Sequence, residues 1–313
     1  MRGKNKAKQI KRYYSFSDYL LKTFNKKVYK LSLDAGFTCP NRDGTVGCGG
    51  CIFCSEGGSG DFAQKIINSN VDEAIEKAKD RVKNKTETNA YIAYFQSFTN
   101  TYAPIQTLKD LFTKAINRED IVALSIATRP DCLGEEVINL IKELCAIKPV
   151  FVELGLQTIH PKTAEFIRRG YNLETFDKSV INLQNVGAKV VVHLILGLPN
   201  ESEEMILQSV KYVASKKVDG IKLQLLHVLE NTDLATVYKS QPFKIFTQDE
   251  YISLLAKCVE ILPKETVIHR LTGDAPKKLL IAPVWSANKK SVLNELTAYF
   301  NKHDILQGKN YSP

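Results

Sequence analysis

Four cysteines lie close together in a glycine-rich stretch, and their spacing is the clearest chemical signal in the chain. The stretch reads Cys39-Pro-Asn-Arg-Asp-Gly-Thr-Val-Gly-Cys48-Gly-Gly-Cys51-Ile-Phe-Cys54. Thiolates at this spacing can surround a soft metal centre, and the two candidates are zinc and an iron-sulfur cluster. A structural zinc ion takes four closed ligands, which the four cysteines could supply. A zinc knuckle is therefore the alternative to a cluster.

The remaining cysteines and the hydropathy indicate a compartment. The chain has seven cysteines, an odd number, and those outside the stretch are scattered at Cys132, Cys145 and Cys258. This usage favours a metal site in a reducing compartment over a disulfide framework. No apolar run approaches the roughly 20 residues of a membrane helix, and the N-terminus lacks the apolar centre of a secretory signal. We expect a cytoplasmic protein that does not enter the membrane.

Short β-branched runs alternate with longer segments of helical period from Val28 onwards, an order that indicates parallel strands joined by helices. The predicted strands are Val28–Asp34, Ala90–Phe95, Ile121–Ala127, Val150–Gly155, Lys189–Leu194, Gly220–Leu226 and Thr266–Leu271. The predicted helices are Val71–Lys83, Ile105–Ile116, Glu135–Ile147, Leu173–Val186, Glu201–Lys216 and Asp249–Leu262. We expect an α/β fold, a partial or near-complete (β/α) barrel, with its functional residues after the strands' carboxyl ends.

The chain is expected to have three parts: a basic segment at 1–27, the barrel at 28–275 and a helical extension at 276–313 that contains Lys289–Lys302. Residues 1–30 hold ten lysines and arginines against Asp18 alone, so they account for the whole net charge of +9. A polyanionic partner would explain this asymmetry. A solvated tail is the alternative.

The cysteine spacing resembles that of the radical S-adenosylmethionine (SAM) superfamily, whose loop after the first strand ends in Cys-x-aromatic-Cys, as Cys51-Ile-Phe-Cys54 does. The long gap between Cys39 and Cys51 resembles the group of the Elongator catalytic subunit and its bacterial relatives. The resemblance implies that Cys39, Cys51 and Cys54 hold a 4Fe-4S cluster whose open iron binds SAM. Cys48 is then surplus and is given no role.

Motifs after later strands are similar to SAM-binding positions of the superfamily. Gln96 follows the second strand, where members bind the SAM amino group with a different, Gly-Gly-Glu-like motif. Gln157 and Arg169 have a spacing similar to a Gln and Arg of the oxygen-independent coproporphyrinogen oxidases; Arg168 could replace Arg169, or both arginines could be solvated. Gly197, in Leu-Ile-Leu-Gly-Leu-Pro, is similar to a glycine near the adenine.

Two further stretches resemble Elongator-like members. Thr128-Arg-Pro-Asp131 ends the third strand, but Ala127 stands where relatives tend to have Glu, so another residue contacts the cofactor or the site differs. A surface pair of Arg129 and Asp131 is the alternative interpretation. Polar residues after the sixth and seventh strands are substrate-side candidates: His227, Arg270 and Asp274.

The resemblance implies a radical SAM enzyme that acts on tRNA and receives electrons from a donor such as flavodoxin or ferredoxin. The stretch Gly36-Phe-Thr-Cys-Pro-Asn-Arg-Asp-Gly44 resembles bacterial relatives linked to the 5-substituent of wobble uridine. The implied reaction converts carboxymethylaminomethyl-uridine to aminomethyl-uridine. Two alternatives stay open: a radical SAM enzyme for a small metabolite or tetrapyrrole, and a non-enzymatic zinc-bearing nucleic-acid-binding module.

Overall fold

A computed structural model describes residues 11–58, 60–85 and 87–312. The strands are β1 Tyr29–Asp34, β2 Gln64–Lys65, β3 Tyr91–Phe95, β4 Ile121–Thr128, β5 Val150–Gln157, β6 Lys189–Leu196, β7 Gly220–Leu225, β8 Val228–Leu229, β9 Val267–Arg270 and β10 Leu280–Ala282. The helices are α1 Phe16–Phe24, α2 Val71–Val82, α3 Ile105–Asn117, α4 Glu135–Cys145, α5 Pro161–Phe166, α6 Leu173–Asn185, α7 Glu203–Ser215, α8 Asp233–Ser240, α9 Gln248–Glu260 and α10 Lys289–Lys302.

Eight parallel strands form one curved sheet in the order β2-β1-β3-β4-β5-β6-β7-β9. The outer strands β2 and β9 share no ladder within the described residues, so the barrel is partial. This confirms the predicted fold class, and each predicted strand lies within two residues of an observed one. Helices follow the strands in turn and cover the outer face, as parallel sheets require.

The strands bury apolar side chains on their outer face and carry polar ones inside. In β1, Leu31 and Leu33 are buried against the helices, whereas Lys30 and Ser32 alternate with them and face the interior. The period of two in a strand produces this division. The centre of the barrel therefore contains polar side chains rather than only branched apolar ones.

Helix α1 closes the N-terminal end of the barrel. Its Leu20 is buried in a small cluster with interior residues of four strands: Ile92, Ala123, Phe151 and Val191. Ser15 caps the helix, and Phe16 stacks on His269 with 3.9 Å between ring centroids. No helix was predicted here, because lysines and arginines dominate the surrounding composition. Residues 1–10, which belong to the predicted basic segment, lie outside the described residues.

The C-terminal part contains the predicted helix Lys289–Lys302 as α10, which packs on α9. Its buried residues are Val292, Leu296 and Phe300. Before it, β10 pairs antiparallel with β8. No helix among the described residues has the length and apolar character needed to cross a membrane.

Candidate cofactor and substrate site

The cysteine loop follows β1 and covers the carboxyl end of the barrel. Cys39, Cys51 and Cys54 line one cavity of about 170 Å³, which we call the cysteine cavity. Cys48 is exposed, forms an isolated bridge with Asp43 and is not part of that lining. No three His, Cys, Asp or Glu side chains of residues 11–58, 60–85 and 87–312 converge closely enough to ligate a single ion. The three thiols instead lie around a shared space.

One basic side chain, Arg42, and one amide, Asn41, support the cysteine loop. Arg42 donates from Nη2 to the carbonyl oxygens of Cys54, at 3.1 Å, and Ser55, at 2.6 Å. Gly50 has a φ of +87°, and a Cβ there would lie 2.9 Å from Cγ of Arg42, so the loop needs glycine at this point. Asn41 Nδ2 lies 3.5 Å from Cys51 Sγ and donates to the carbonyl of Arg168 at 2.6 Å.

The thiols of Cys51 and Cys54 are costly to ionise without a bound cation. Burial, and next the charge of Cys54, raise the pKa of Cys51 to about 12, and burial raises the pKa of Cys54. The guanidinium of Arg129 lowers the pKa of Cys51 in part, as Arg42 does for Cys54. Iron would supply the positive charge that stabilises all three thiolates. The donor set therefore fits an iron-sulfur cluster.

Gln157 ends β5 in a strained conformation and faces the cysteine cavity. Its φ is +63°, in a region that residues other than glycine rarely adopt. Its buried Oε1 has no hydrogen-bond partner in the described part of the chain. A Cβ on Gly155 would lie 2.5 Å from Gln157 Nε2, so glycine at 155 leaves space for this amide. Strain and an unpaired acceptor at a cavity wall are typical of a ligand site.

The structure does not bring Arg169 into the cavities. Its guanidinium is buried and donates to three backbone carbonyls: Leu156 at 3.1 Å, Thr158 at 2.6 Å and Tyr171 at 2.9 and 3.1 Å. The neighbouring Arg168 is partly exposed and pairs with Asp233. Arg169 therefore holds the backbone on both sides of Gln157.

Gly197 follows β6 and also lies outside the cavity linings. Its φ is +93°, and a Cβ there would lie 3.0 Å from the ring of Phe246. The glycine thus permits a turn and a close aromatic contact.

Arg129, in contrast, is buried rather than on the surface and lines the cysteine cavity. It forms two hydrogen bonds to Asp131, at 2.9 and 2.7 Å. The alternative interpretation, a surface pair, does not hold for these residues.

A second cavity of about 910 Å³ adjoins the first, and we call it the large cavity. Its lining includes the predicted substrate-side residues His227, Arg270 and Asp274. Side chains that line both cavities form the wall between them: Phe53, Gln96, Gln157, His193, Gln224 and Arg270. A cofactor in the cysteine cavity and a substrate in the large cavity would meet at this wall.

A buried carboxylate, Glu153, organises the barrel interior below the wall. Oε1 accepts from Lys30 and Ser125, each at 2.6 Å, and Oε2 accepts from Tyr94 at 2.9 Å, from His193 at 2.8 Å and from Lys222. Burial would raise the pKa of Glu153, but the charges of Lys222 and Lys30 lower it well below its usual value. Burial lowers the pKa of Lys222 to about 7.

Sequence reasoning missed this cluster, because it treated these strands as covered apolar runs. Single charged residues inside such runs, Lys30, Glu153 and Lys222, were the available signal. Lys30 is one of the basic residues among the first 30 of the sequence, but its side chain lies mostly buried in the barrel. Ala127 pairs in register with Glu153, so a buried carboxylate does lie beside the position where relatives tend to have Glu.

Comparisons with known proteins agree with this geometry. A sequence profile of the Radical SAM superfamily matches residues 39–213, and one of the Radical_SAM C-terminal domain matches residues 218–302. YtqA of Bacillus subtilis is 42% identical over 299 residues, covering 96% of this chain and 92% of YtqA. A tRNA uridine(34) acetyltransferase of Methanocaldococcus jannaschii is 35% identical over 188 residues, 59% of this chain and 34% of that protein.

Among solved structures, the archaeal Methanocaldococcus infernus Elp3 with an N-terminal deletion superposes with a TM-score of 0.69 at 22% identity. The match covers 90% of this chain and 64% of the Elp3 chain, and it shows a shared fold. The superfamily uses a 4Fe-4S cluster and SAM, and Cys39, Cys51 and Cys54 supply a fitting set of thiols. This chain therefore belongs to the radical SAM superfamily and is related to the Elp3 group.

Proposed function

We propose that this chain modifies the wobble uridine of tRNA, converting its carboxymethylaminomethyl substituent to aminomethyl. The observation that carries the proposal is the shared wall between the cysteine cavity and the large cavity. A group that projects from a larger substrate into the large cavity would come next to SAM bound at the cysteine cavity. When bound and reduced, the cluster supplies an electron to SAM, which yields a 5′-deoxyadenosyl radical for hydrogen abstraction.

The tRNA assignment has separate support. Relatives that carry the name tRNA uridine(34) acetyltransferase share this part of the chain at 33% to 35% identity. The match covers only about a third of the length of these relatives. A shared activity therefore does not follow from the match. The common feature we infer is the substrate, the uridine at position 34, rather than the reaction.

The substrate chemistry can be written with its atoms balanced. A hydrogen atom leaves the methylene group between the amine nitrogen and the carboxylate. The resulting carbon radical loses one electron to a one-electron carrier of the flavodoxin or ferredoxin class, and the nitrogen loses a proton, so that a C=N bond forms. Water adds to this carbon, the C–N bond breaks, and the products are aminomethyl-uridine and glyoxylate.

The protein's own part is to bind, orient and exclude water. Gln96 and Gln157 lie at the wall, and we propose that they position SAM. Arg169 and Gly197 are proposed to help by supporting the ends of β5 and β6. The interior cluster around Glu153 keeps charged groups at the floor of the site in defined orientations. Lys222, whose pKa burial lowers to about 7, belongs to this cluster and lines the cysteine cavity.

The test is anaerobic incubation of the reconstituted protein with SAM, a reductant and bulk tRNA from a strain that lacks the gene, followed by nucleoside mass spectrometry. We expect carboxymethylaminomethyl-uridine to decrease and aminomethyl-uridine to increase by the same amount, with 5′-deoxyadenosine and glyoxylate as co-products. SAM cleavage without any change in tRNA nucleosides would contradict the tRNA assignment and favour a small metabolite or tetrapyrrole.

A further inference from the structure

We infer that Arg270, at the wall between the two cavities, binds a carboxylate of the substrate. The inference rests on the proposed function, for which the carboxylate is that of the carboxymethylaminomethyl group. Arg270 ends β9, and its side chain is 30% exposed and lines both cavities. An anionic group held there would lie in the large cavity, next to its wall with the cysteine cavity.

The buried carboxylate of Glu153 does not neutralise Arg270. Glu153 accepts hydrogen bonds from five side chains on five other strands, and two of them, Lys30 and Lys222, are cationic when protonated. This cluster therefore carries no spare negative charge. The charge of Arg270 instead lowers the pKa of its neighbours Lys30, Lys222 and His193, in each case after burial as the main cause.

The other carboxylate near Arg270 is shared. Asp274 Oδ2 lies 3.3 Å from Arg270 Nη2, and this is the ion pair that Arg270 forms in the described residues. Both oxygens of Asp274 also accept from Lys289 Nζ, at 2.6 and 2.8 Å. Two cations thus share one anion at the edge of the large cavity. The arrangement has one excess positive charge before substrate enters.

A guanidinium suits a carboxylate better than an ammonium does, because its planar fork can donate two parallel hydrogen bonds. A half-buried guanidinium with one long ion pair is costly to desolvate, and an incoming carboxylate would offset that cost. The large cavity has further basic residues farther along its lining, Lys85 and Lys277, and these provide a general attraction for anions.

The same chemistry could serve the carboxylate of SAM, so the experiment separates the two sources. Equilibrium binding is measured for tRNA that carries carboxymethylaminomethyl-uridine and for the same tRNA that carries aminomethyl-uridine. The proteins are the cluster-loaded wild type, Arg270→Gln, Arg270→Lys and, as the matched control, Lys277→Gln, which removes one positive charge from the same cavity. SAM affinity and cluster absorption are measured in parallel for each protein.

We expect the wild type to prefer the carboxylate-bearing tRNA by roughly ten-fold or more, the size of a charge-assisted hydrogen bond. Arg270→Gln should reduce the ratio to about one, and Arg270→Lys should leave an intermediate ratio. Lys277→Gln should weaken the binding of both tRNAs by the same factor, so the ratio of their affinities should not change. SAM affinity and cluster absorption should stay unchanged in Arg270→Gln, which also shows that the variant is folded.

A ratio that survives Arg270→Gln would overturn the inference. A loss of SAM affinity in that variant with an unchanged tRNA ratio would also overturn it and assign the guanidinium to the SAM carboxylate. Both results leave the proposed function intact provided that the wild type forms aminomethyl-uridine. Absence of that product from the wild type is the separate result that overturns the proposed function.

Discussion

Arg169 donates hydrogen bonds from one nitrogen, Nη1, to the backbone carbonyls on both sides of Gln157, at 3.1 Å to Leu156 and 2.6 Å to Thr158. The two residues therefore act as one unit at the end of β5. The charged clamp offsets the cost of the left-handed backbone at Gln157, whose amide remains at the cavity wall.

This relationship predicts how SAM affinity responds to mutation. Gln157→Ala should weaken SAM binding by roughly ten-fold through loss of a hydrogen bond, and Arg169→Ala should weaken it by a similar factor because Gln157 is no longer held. The double variant should be no worse than Gln157→Ala alone. Calorimetric titration of the cluster-loaded proteins measures this, with Arg168→Ala as the control. Additive losses would show that Arg169 acts independently of Gln157.

The cluster ligands can be tested against the exposed neighbouring thiol. Replacing Cys39, Cys51 or Cys54 by Ala should each abolish the 4Fe-4S absorption and SAM cleavage, whereas Cys48→Ala should keep about four irons per chain. The physical reason is position, since the first three thiols line the cysteine cavity and Cys48 is exposed. Iron and sulfide analysis after anaerobic reconstitution gives the answer. Stoichiometric zinc in place of iron would instead support the binding-module alternative.

The buried histidines predict a loss of stability in mild acid. Burial lowers the pKa of His193 to about 4, whereas an unfolded chain binds the proton near 6.5. Between these values the unfolded state binds more protons, so the free energy of unfolding should fall as pH decreases from about 6.5 to 4. The slope is at most about 1.4 kcal/mol per pH unit for each such histidine.

His193→Gln should flatten that slope in urea denaturation of the cluster-free protein. His227, whose pKa burial also lowers to about 4, gives a matched variant, His227→Gln, that should flatten it by a similar amount. An unchanged slope in both variants would mean that other groups cause the acid loss. Because the pKa of Glu153 is lowered, protonation of Glu153 also reduces the free energy of unfolding as pH falls, but at lower pH than the histidines do.

The basic N-terminus predicts a salt-dependent contact with tRNA. Removing residues 2–10 deletes four positive charges, Arg2, Lys4, Lys6 and Lys8, and spares Arg12, which is 2.6 Å from Asp304 on the C-terminal side of α10. Affinity for tRNA should fall, and the slope of log affinity against log salt should decrease by about 0.7 to 0.9 for each lost phosphate contact. Filter binding across a salt series measures both.

SAM cleavage in the absence of tRNA is the control for that truncation. It should be retained, because the lining that the structure describes for both cavities consists of residues from Tyr29 onwards. If the truncated and full-length proteins bind tRNA with equal affinity and salt slope, the tail is only a solvated extension. The relation to the uridine(34) enzymes would then be the remaining support for tRNA.

The sequence by itself determined the fold class and the strands and predicted the three cysteine ligands, because these depend on local patterns. A buried parallel strand is a short apolar run, a helix repeats every 3.6 residues, and a cluster loop has its thiols within a few residues of one another. The bounds of α10 were predicted without error, and those of the barrel strands to within two residues. The resemblance of the cysteine spacing to the radical SAM superfamily also distinguished Cys39, a predicted ligand, from Cys48, which was given no role.

The tertiary structure alone decided which distant side chains meet. Lys30, Glu153 and Lys222 lie on three strands more than 60 residues apart in sequence, and only closure of the sheet brings their charges together. The structure also separated Gln157, at the wall, from Arg169, behind it, although their spacing had suggested one shared role. Strand register, β-bulges and burial set the direction of each side chain, and no local pattern encodes them.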